Sequence, residues 1–170
     1  MSDFDYCITE VLKHEGGYSN NVNDLGGETN LGVTHKTYTE YCMEQDFVAK
    51  DMKDLTKEDV SPIYKTKFWN AMKCDDIPSG LNYFLFDFGV NCGPFRAIKK
   101  LQRCVGTLED GIIGPQTIAQ IFSHDVQTII NDLCIERQKH YESLDSFKHF
   151  GNGWTRRNKE VRNKSIEMIK

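Results

Sequence analysis

Glu15, Asp24 and Glu28 are carboxylates set close together near the N-terminus, in a stretch rich in glycine and asparagine. Two carboxyl groups whose proton affinities are pushed apart can break a glycosidic bond. One protonates the leaving oxygen, and the other activates water or stabilises the cationic sugar. Position favours such a division of labour. Glu15 stands at the expected end of an amphipathic helix, where the negative end of the helix dipole and partial burial favour the protonated carboxyl. The competing reading is an exposed helix-end glutamate. In the loop that follows, Asp24 also suits an Asx-turn and Glu28 a solvated charge. Other chemistries fail on spacing. Asn21-x-Asn23-x-Leu25-Gly26 puts leucine at a calcium-ligand position, and Tyr18 stands where a zincin would carry its second histidine. No nucleophile elbow or phosphate-binding loop is present.

The elements that must position these groups are read from periodicity. Phe4, Cys7, Ile8, Val11 and Leu12 recur at three- and four-residue spacing, which predicts a helix over 3–15 closed by Gly16 and Gly17. Residues 17–30 read as a loop, and 31–33 as a short extended piece of a small hairpin. Thr34 suits the cap of a helix over 35–45, and Thr56 with Asp59 the cap of one reaching Trp69, with Pro62 in its first turn. Ser79 is expected to cap a nearly all-apolar helix carrying Leu81, Phe84, Leu85, Phe88 and Val90, the predicted buried centre. Pro94 and Gly106 bracket the next helix, Pro115 opens a short one to Phe122, and Val126 to Leu144 mark a long one. Gly151-Asn152-Gly153 reads as a loop before a basic helix over 154–168. The expected class is mainly α with at most one small sheet.

With 170 residues, 39% of them apolar, the chain is long enough to bury a core without disulfides or a structural metal. A net charge of −4 argues against nucleic acid as a partner; only Arg156, Arg157, Lys159, Arg162, Lys164 and Lys170 make a basic stretch. Such a stretch is ordinarily a solvated face, and it also suits anionic surfaces. The six cysteines show no metal-ligand spacing and read as reduced thiols. No run reaches membrane-spanning length, and the N-terminus has neither a basic nor an apolar leader region, so synthesis without a signal peptide is expected.

The run Glu15-Gly16-Gly17-Tyr18, then Asn23-Asp24-x-Gly26-Gly27-x-Thr29-x-x-Gly32-Val33-Thr34, resembles the signature of glycoside hydrolase family 108. Its members are N-acetylmuramidases, many of them phage endolysins or phage-derived secretion factors. Tyr64, Phe68-Trp69, Pro78, Asp87-x-x-Val90-Asn91-x-Gly93-Pro94 and Ala97 resemble the middle of that pattern, where Tyr-Trp is commoner than Phe-Trp. Leu101-Gln102, Gly106 and Asp110-Gly111-x-x-Gly114-Pro115-x-Thr117 resemble the peptidoglycan-binding region usually joined to it.

The resemblance implies that Glu15 is the catalytic acid. A looser similarity to phage-type lysozymes implies Asp24 as second carboxylate and Thr29 as the group that orients it, with Glu28 the alternative. Tyr18, Tyr64 and Trp69 are candidate platforms for sugar rings, although aromatic residues at helical spacing are more often core. Asn91 suits donation to a sugar acetamido group or capping before Gly93. Asp110 is first a turn residue and, by resemblance, part of a wall-binding surface.

The implied fold is lysozyme-like: a helical bundle with a small loop or β-hairpin beside a catalytic cleft. Its regions are a catalytic one over 1–78 and a helical peptidoglycan-binding one over 79–170, packed as one unit. The implied function is cleavage of the β-1,4 bond between N-acetylmuramic acid and N-acetylglucosamine in bacterial peptidoglycan, for host lysis. The protein is expected to be a monomer that needs no cofactor or metal. It is expected to be made in the cytoplasm and to act on the wall after release, with a holin-type pore as its exit. The rival expectations are a lytic transglycosylase, which needs no second carboxylate, and a non-catalytic wall-binding or secretion-accessory module.

Overall fold

The computed structural model describes residues 3–20 and 27–170. It is mainly helical, as expected: eight α-helices and one two-stranded antiparallel sheet among the described residues. The chain forms two compact units, Met1–Lys67 and Phe68–Lys170.

In the first unit, α1 (Asp3–Leu12) buries Phe4, Cys7, Ile8 and Val11, the face its spacing predicts. It stops three residues before Glu15. The amides of Lys13 and His14 bond to the carbonyls of Glu10 and Val11 at 3.2 and 3.0 Å, a tighter turn that ends the α-helix. Gly16 and Gly17 are not in the left-handed region, so the expected glycine closure is absent and Glu15 lies beyond the helix rather than in its last turn.

β1 (Thr29–Asn30) pairs antiparallel with β2 (Val33–Thr34), Thr29 opposite Thr34 and Asn30 opposite Val33. Between them Leu31 and Gly32 both have positive φ, 48° and 73°. Two such residues make the tight turn that matches strand twist. Residues 31–33 are therefore a turn and the start of a strand, not one extended piece. Asn30 donates to the Met52 carbonyl at 2.6 Å in the interior, pinning the hairpin to a 3₁₀ turn at Met52–Asp54.

α2 (His35–Glu44) starts on Thr34, whose hydroxyl accepts the Thr37 amide at 3.2 Å. α3 (Lys57–Tyr64) opens on the expected Thr56–Asp59 box, the Asp59 carboxylate accepting the Thr56 amide at 2.9 Å. Pro62 sits in the body of α3 rather than in its first turn. The chain then widens into a π-helical turn at Lys65–Asn70 and passes into the second unit. Proline lacks the amide that would close its own α-turn.

The second unit is built around α4 (Leu81–Cys92), whose residues from Leu81 to Gly89 are all buried. Gly80, at φ 87°, starts it, and a Cβ there would run into the Ser165 carbonyl. Ser79 does not cap. Its hydroxyl is buried without a hydrogen-bond partner among the described residues, while Asn82 Oδ1 accepts the amides of Gly80 and Tyr83 at 3.1 and 2.7 Å. Packed on α4 are α5 (Pro94–Cys104), α7 (Val126–Glu142) and α8 (Phe147–Glu167), with α6 (Pro115–Ser123) against α7. Lys100 and Arg103 of α5 reach Glu136 of α7 at 2.9 and 3.2 Å. The Lys100 hydrogen bond leads the effects that hold Glu136 down to about 2.

α8 runs straight through Gly151-Asn152-Gly153, where glycine content predicts a loop. The glycine at 151 answers a packing need, since the Phe147 ring lies 2.7 Å from where a Cβ would stand. All six cysteines are free thiols. Among the described residues no helix is long and apolar enough to cross a membrane.

A buried charge cluster ties α4 to α7 and α8. Asp87 and Arg137, both without exposed side-chain surface, pair at 2.7 Å, and Arg157 meets the other Asp87 oxygen at 2.8 Å. The Arg137 guanidinium lies 5.2 to 5.7 Å from the ring centres of Phe84, Phe88 and Tyr141. Arg157 is thus turned inward, not part of a uniformly solvated basic face.

Candidate active site

Glu15 is half-buried in the first unit, against the hairpin turn. A Cβ on Gly32 would stand 3.0 Å from Glu15 Oε2 and would collide with the Tyr64 hydroxyl. That hydroxyl donates to the Leu31 carbonyl at 2.9 Å. Residues 15, 31, 32 and 64 therefore converge: Tyr64 from α3 fixes the turn, and the turn lies on the glutamate. Among the described residues, no atom outside the local chain comes within 4 Å of the space a Cβ would take on Gly16 or Gly17. The carboxyl is held by packing on one side, with a backbone of minimal bulk beside it.

The loop between Glu15 and the hairpin is closed by a bridge. Ser19 and Thr29 exchange both backbone hydrogen bonds at 2.8 Å. Thr29 is thereby fixed from two sides, by Ser19 and by Thr34 across the sheet. Tyr18 donates to Glu28 Oε1 at 2.7 Å, and this bond holds the phenol proton more tightly than usual. Lys53 Nζ lies 5.4 Å from the Tyr18 ring centre. Tyr18, Glu28 and Lys53 form one exposed cluster, in which the tyrosine sets the rotamer of the carboxylate. Asp24 lies outside the described residues.

The other expected binding residues fall differently. Tyr64 is buried, 2% exposed, and serves the hairpin rather than presenting a ring to a sugar. Trp69 has no exposed surface. Its indole donates to Asp75 at 2.9 Å and meets the Phe86 ring edge-on, so it is a core anchor of the second unit. Asn91 is exposed at the end of α4 and accepts the Tyr141 hydroxyl at 2.6 Å. Asp110 accepts from Gln102 and from the Ile112 amide at 2.7 and 2.9 Å, bonds that hold its carboxyl below the usual range and organise the turn after α5. Among the described residues no group of three or more His, Cys, Asp or Glu could hold a metal ion.

Two consequences can be measured. Gly32→Ala places a methyl group against Tyr64 and Glu15 at a φ that disfavours it. It is expected to cost about 1–3 kcal/mol and to lower turnover, read by thermal denaturation and by release of soluble wall fragments. Tyr64→Phe removes the hydrogen bond to the Leu31 carbonyl, worth about 1 kcal/mol. It is expected to lower kcat more than it raises KM, because it loosens the element lying on the acid without touching substrate.

A carboxyl packed under a β-hairpin beyond an N-terminal helix, on a mainly helical chain, is the layout of a lysozyme-like glycoside hydrolase. The comparisons with known proteins make the lineage particular. Residues 8–93 match the family model Glycosyl hydrolase 108 and residues 96–159 the Predicted Peptidoglycan domain. The chain belongs to the glycosyl hydrolase 108 family and is a muramidase-type glycoside hydrolase, with peptidoglycan as its substrate. The solved structure of Brucella abortus SagA is similar, at 35% identity over 97% of this chain and 94% of that one, with a TM-score of 0.82. No curated protein matches the chain. The hydrolase match extends through α4, whereas α4 packs within the second unit. The sequence family and the structural unit therefore divide at different points.

Proposed function

We propose that the protein hydrolyses the β-1,4 bond between N-acetylmuramic acid and N-acetylglucosamine, with Glu15 protonating the bridging oxygen. The observation that carries this reading is the packing of Glu15 Oε2 against the hairpin turn, where Gly32 and Tyr64 define its position. A general acid must be held within hydrogen-bond reach of the atom it protonates. The second carboxylate is Glu28 or Asp24, with Thr29 orienting it. The Tyr18 hydrogen bond supports Glu28 by giving that carboxylate a set direction.

The test is digestion of purified peptidoglycan by the wild type and by Glu15→Gln, Asp24→Asn and Glu28→Gln, with the new ends identified by mass spectrometry. Reducing muramic ends that vanish in Glu15→Gln and in one of the other two variants are the expected result. Anhydro ends would replace the hydrolase reading with a transglycosylase. The same reading carries a role in phage-mediated lysis. The enzyme, a monomer, would be made in the host cytoplasm and reach the wall through a holin-type pore. Expression in a bacterial host should then cause lysis only when such a pore is co-expressed.

A further inference from the structure

At one end of the second unit an aromatic surface adjoins an oriented amide. Phe150 and Trp154 lie one helical turn apart on α8, with ring centres 5.8 Å apart and planes 33° from parallel. Phe150 is 59% exposed and Trp154 is half-buried. Trp154 stacks on Tyr141 of α7 at 5.2 Å, which fixes the indole in place. The indole N–H has no hydrogen-bond partner among the described residues.

The hydroxyl of the same Tyr141 reaches Asn91, and the direction of that bond can be deduced. Arg137 Nε lies 2.7 Å from the Tyr141 oxygen and can only donate. The tyrosine must then give its own proton onward, to Asn91 Oδ1 at 2.6 Å. The amide oxygen of Asn91 is thereby turned to Tyr141, and its NH2 group is turned away as a donor on an exposed residue. Arg137 is itself held by Asp87, so the orientation starts from a fully buried ion pair. An aromatic face with a fixed donor beside it matches an N-acetylated sugar, whose ring has an apolar face and whose acetamido carbonyl accepts a hydrogen bond.

We propose that Phe150, Trp154 and Asn91 form a saccharide-binding subsite for an N-acetylamino sugar of the glycan strand, separate from the Glu15 carboxyl. The subsite rests on the reading of peptidoglycan as substrate, and it gives the predicted peptidoglycan domain a defined contact surface. Phe150 and Trp154 receive the ring faces. Asn91 selects for the acetamido group, and Tyr141 positions both.

The full-length chain carrying Glu15→Gln is titrated with a tetrasaccharide of N-acetylglucosamine and, separately, of glucose. Trp69 and Trp154 are the two tryptophans, and Trp69 is sealed in the core, so a change in tryptophan emission reports on Trp154. The acetylated sugar is expected to change that emission and to bind at least tenfold tighter than the unacetylated one. Adding Asn91→Asp keeps the acceptor for Tyr141 and replaces the donor, so it should abolish the tenfold preference. Adding Phe150→Ala, at a mostly exposed position, should weaken both sugars at least fivefold and reduce pelleting with wall sacculi. An unchanged emission, or both variants binding like their parent, would overturn the subsite. Failure of the catalytic reading shows elsewhere, as muramic ends that persist in Glu15→Gln.

Discussion

Glu15→Gln is expected to lower kcat by about 10²–10⁴-fold, the contribution of a positioned general acid, while KM and thermal stability stay close to wild type. Glutamine has the shape of the glutamate and can lie against Gly32 as the carboxyl does. What it lacks is a proton acidic enough to transfer to the bridging oxygen. The comparison with Gly32→Ala is informative. That change leaves the carboxyl intact and displaces its support, so stability and turnover should fall together, whereas Glu15→Gln should change turnover alone. Steady-state release of reducing ends and a melting curve for each variant make the distinction. A Glu15→Gln enzyme that still produced muramic ends at the wild-type rate would remove Glu15 from the acid role.

Much of the fold was legible because burial follows period. The face of α1 carrying Phe4, Cys7, Ile8 and Val11, the sealed α4, and the starts of α2 and α3 at Thr34 and Thr56 are local signals. The errors arose where tertiary packing overrode composition. Gly151 reads as a helix breaker, yet the Phe147 ring needs the space its side chain would fill. Ser79 has the chemistry of a cap, but Asn82 reaches the free amides instead. The hairpin turn was hidden because Leu31 stands where asparagine or aspartate usually announces two residues of positive φ.

For the site, the motif around Glu15 was visible, but the reason for its position was not. Periodicity puts the carboxyl at a helix end, whereas α1 stops at Leu12 and the hairpin turn lies on it. Tyr64 and Trp69 looked alike as aromatic candidates. Only three-dimensional packing shows one bonded to the turn and the other to Asp75. Asp87 carries a signal of its own in the sequence. A charge inside an otherwise sealed apolar helix has to be paired, and the inward arginines of two later helices were the available partners.

That pairing sets the largest expected loss of stability. Asp87→Asn takes the carboxylate away from Arg137 in the interior and from Arg157 beside it. It is expected to cost about 3–5 kcal/mol, a fall in Tm on the order of 10 °C. Replacing Asp87 and Arg137 together, by leucine and methionine, should be milder than Asp87→Asn, since the fully buried Arg137 charge is then gone and only Arg157, at the edge of the cluster, loses its contact with Asp87. The pH dependence follows from the same contacts. Burial alone would raise the Asp87 carboxyl, but the two guanidinium groups outweigh it and hold the carboxyl below its usual range. A group whose folded value lies below its unfolded one stabilises above the unfolded value, about 4 for aspartate, and loses that contribution as the pH falls through the folded value. Wild type should therefore lose stability steeply below about pH 4, and Asp87→Asn should show a shallower acid limb. Parallel slopes for the two proteins, measured by urea denaturation at a series of pH values, would mean that the acid sensitivity comes from other carboxylates. The same variant should also loosen the chain of bonds through Arg137 and Tyr141 that turns the Asn91 amide outward. It would then weaken selection for acetylated sugars at a residue that is sealed from any ligand.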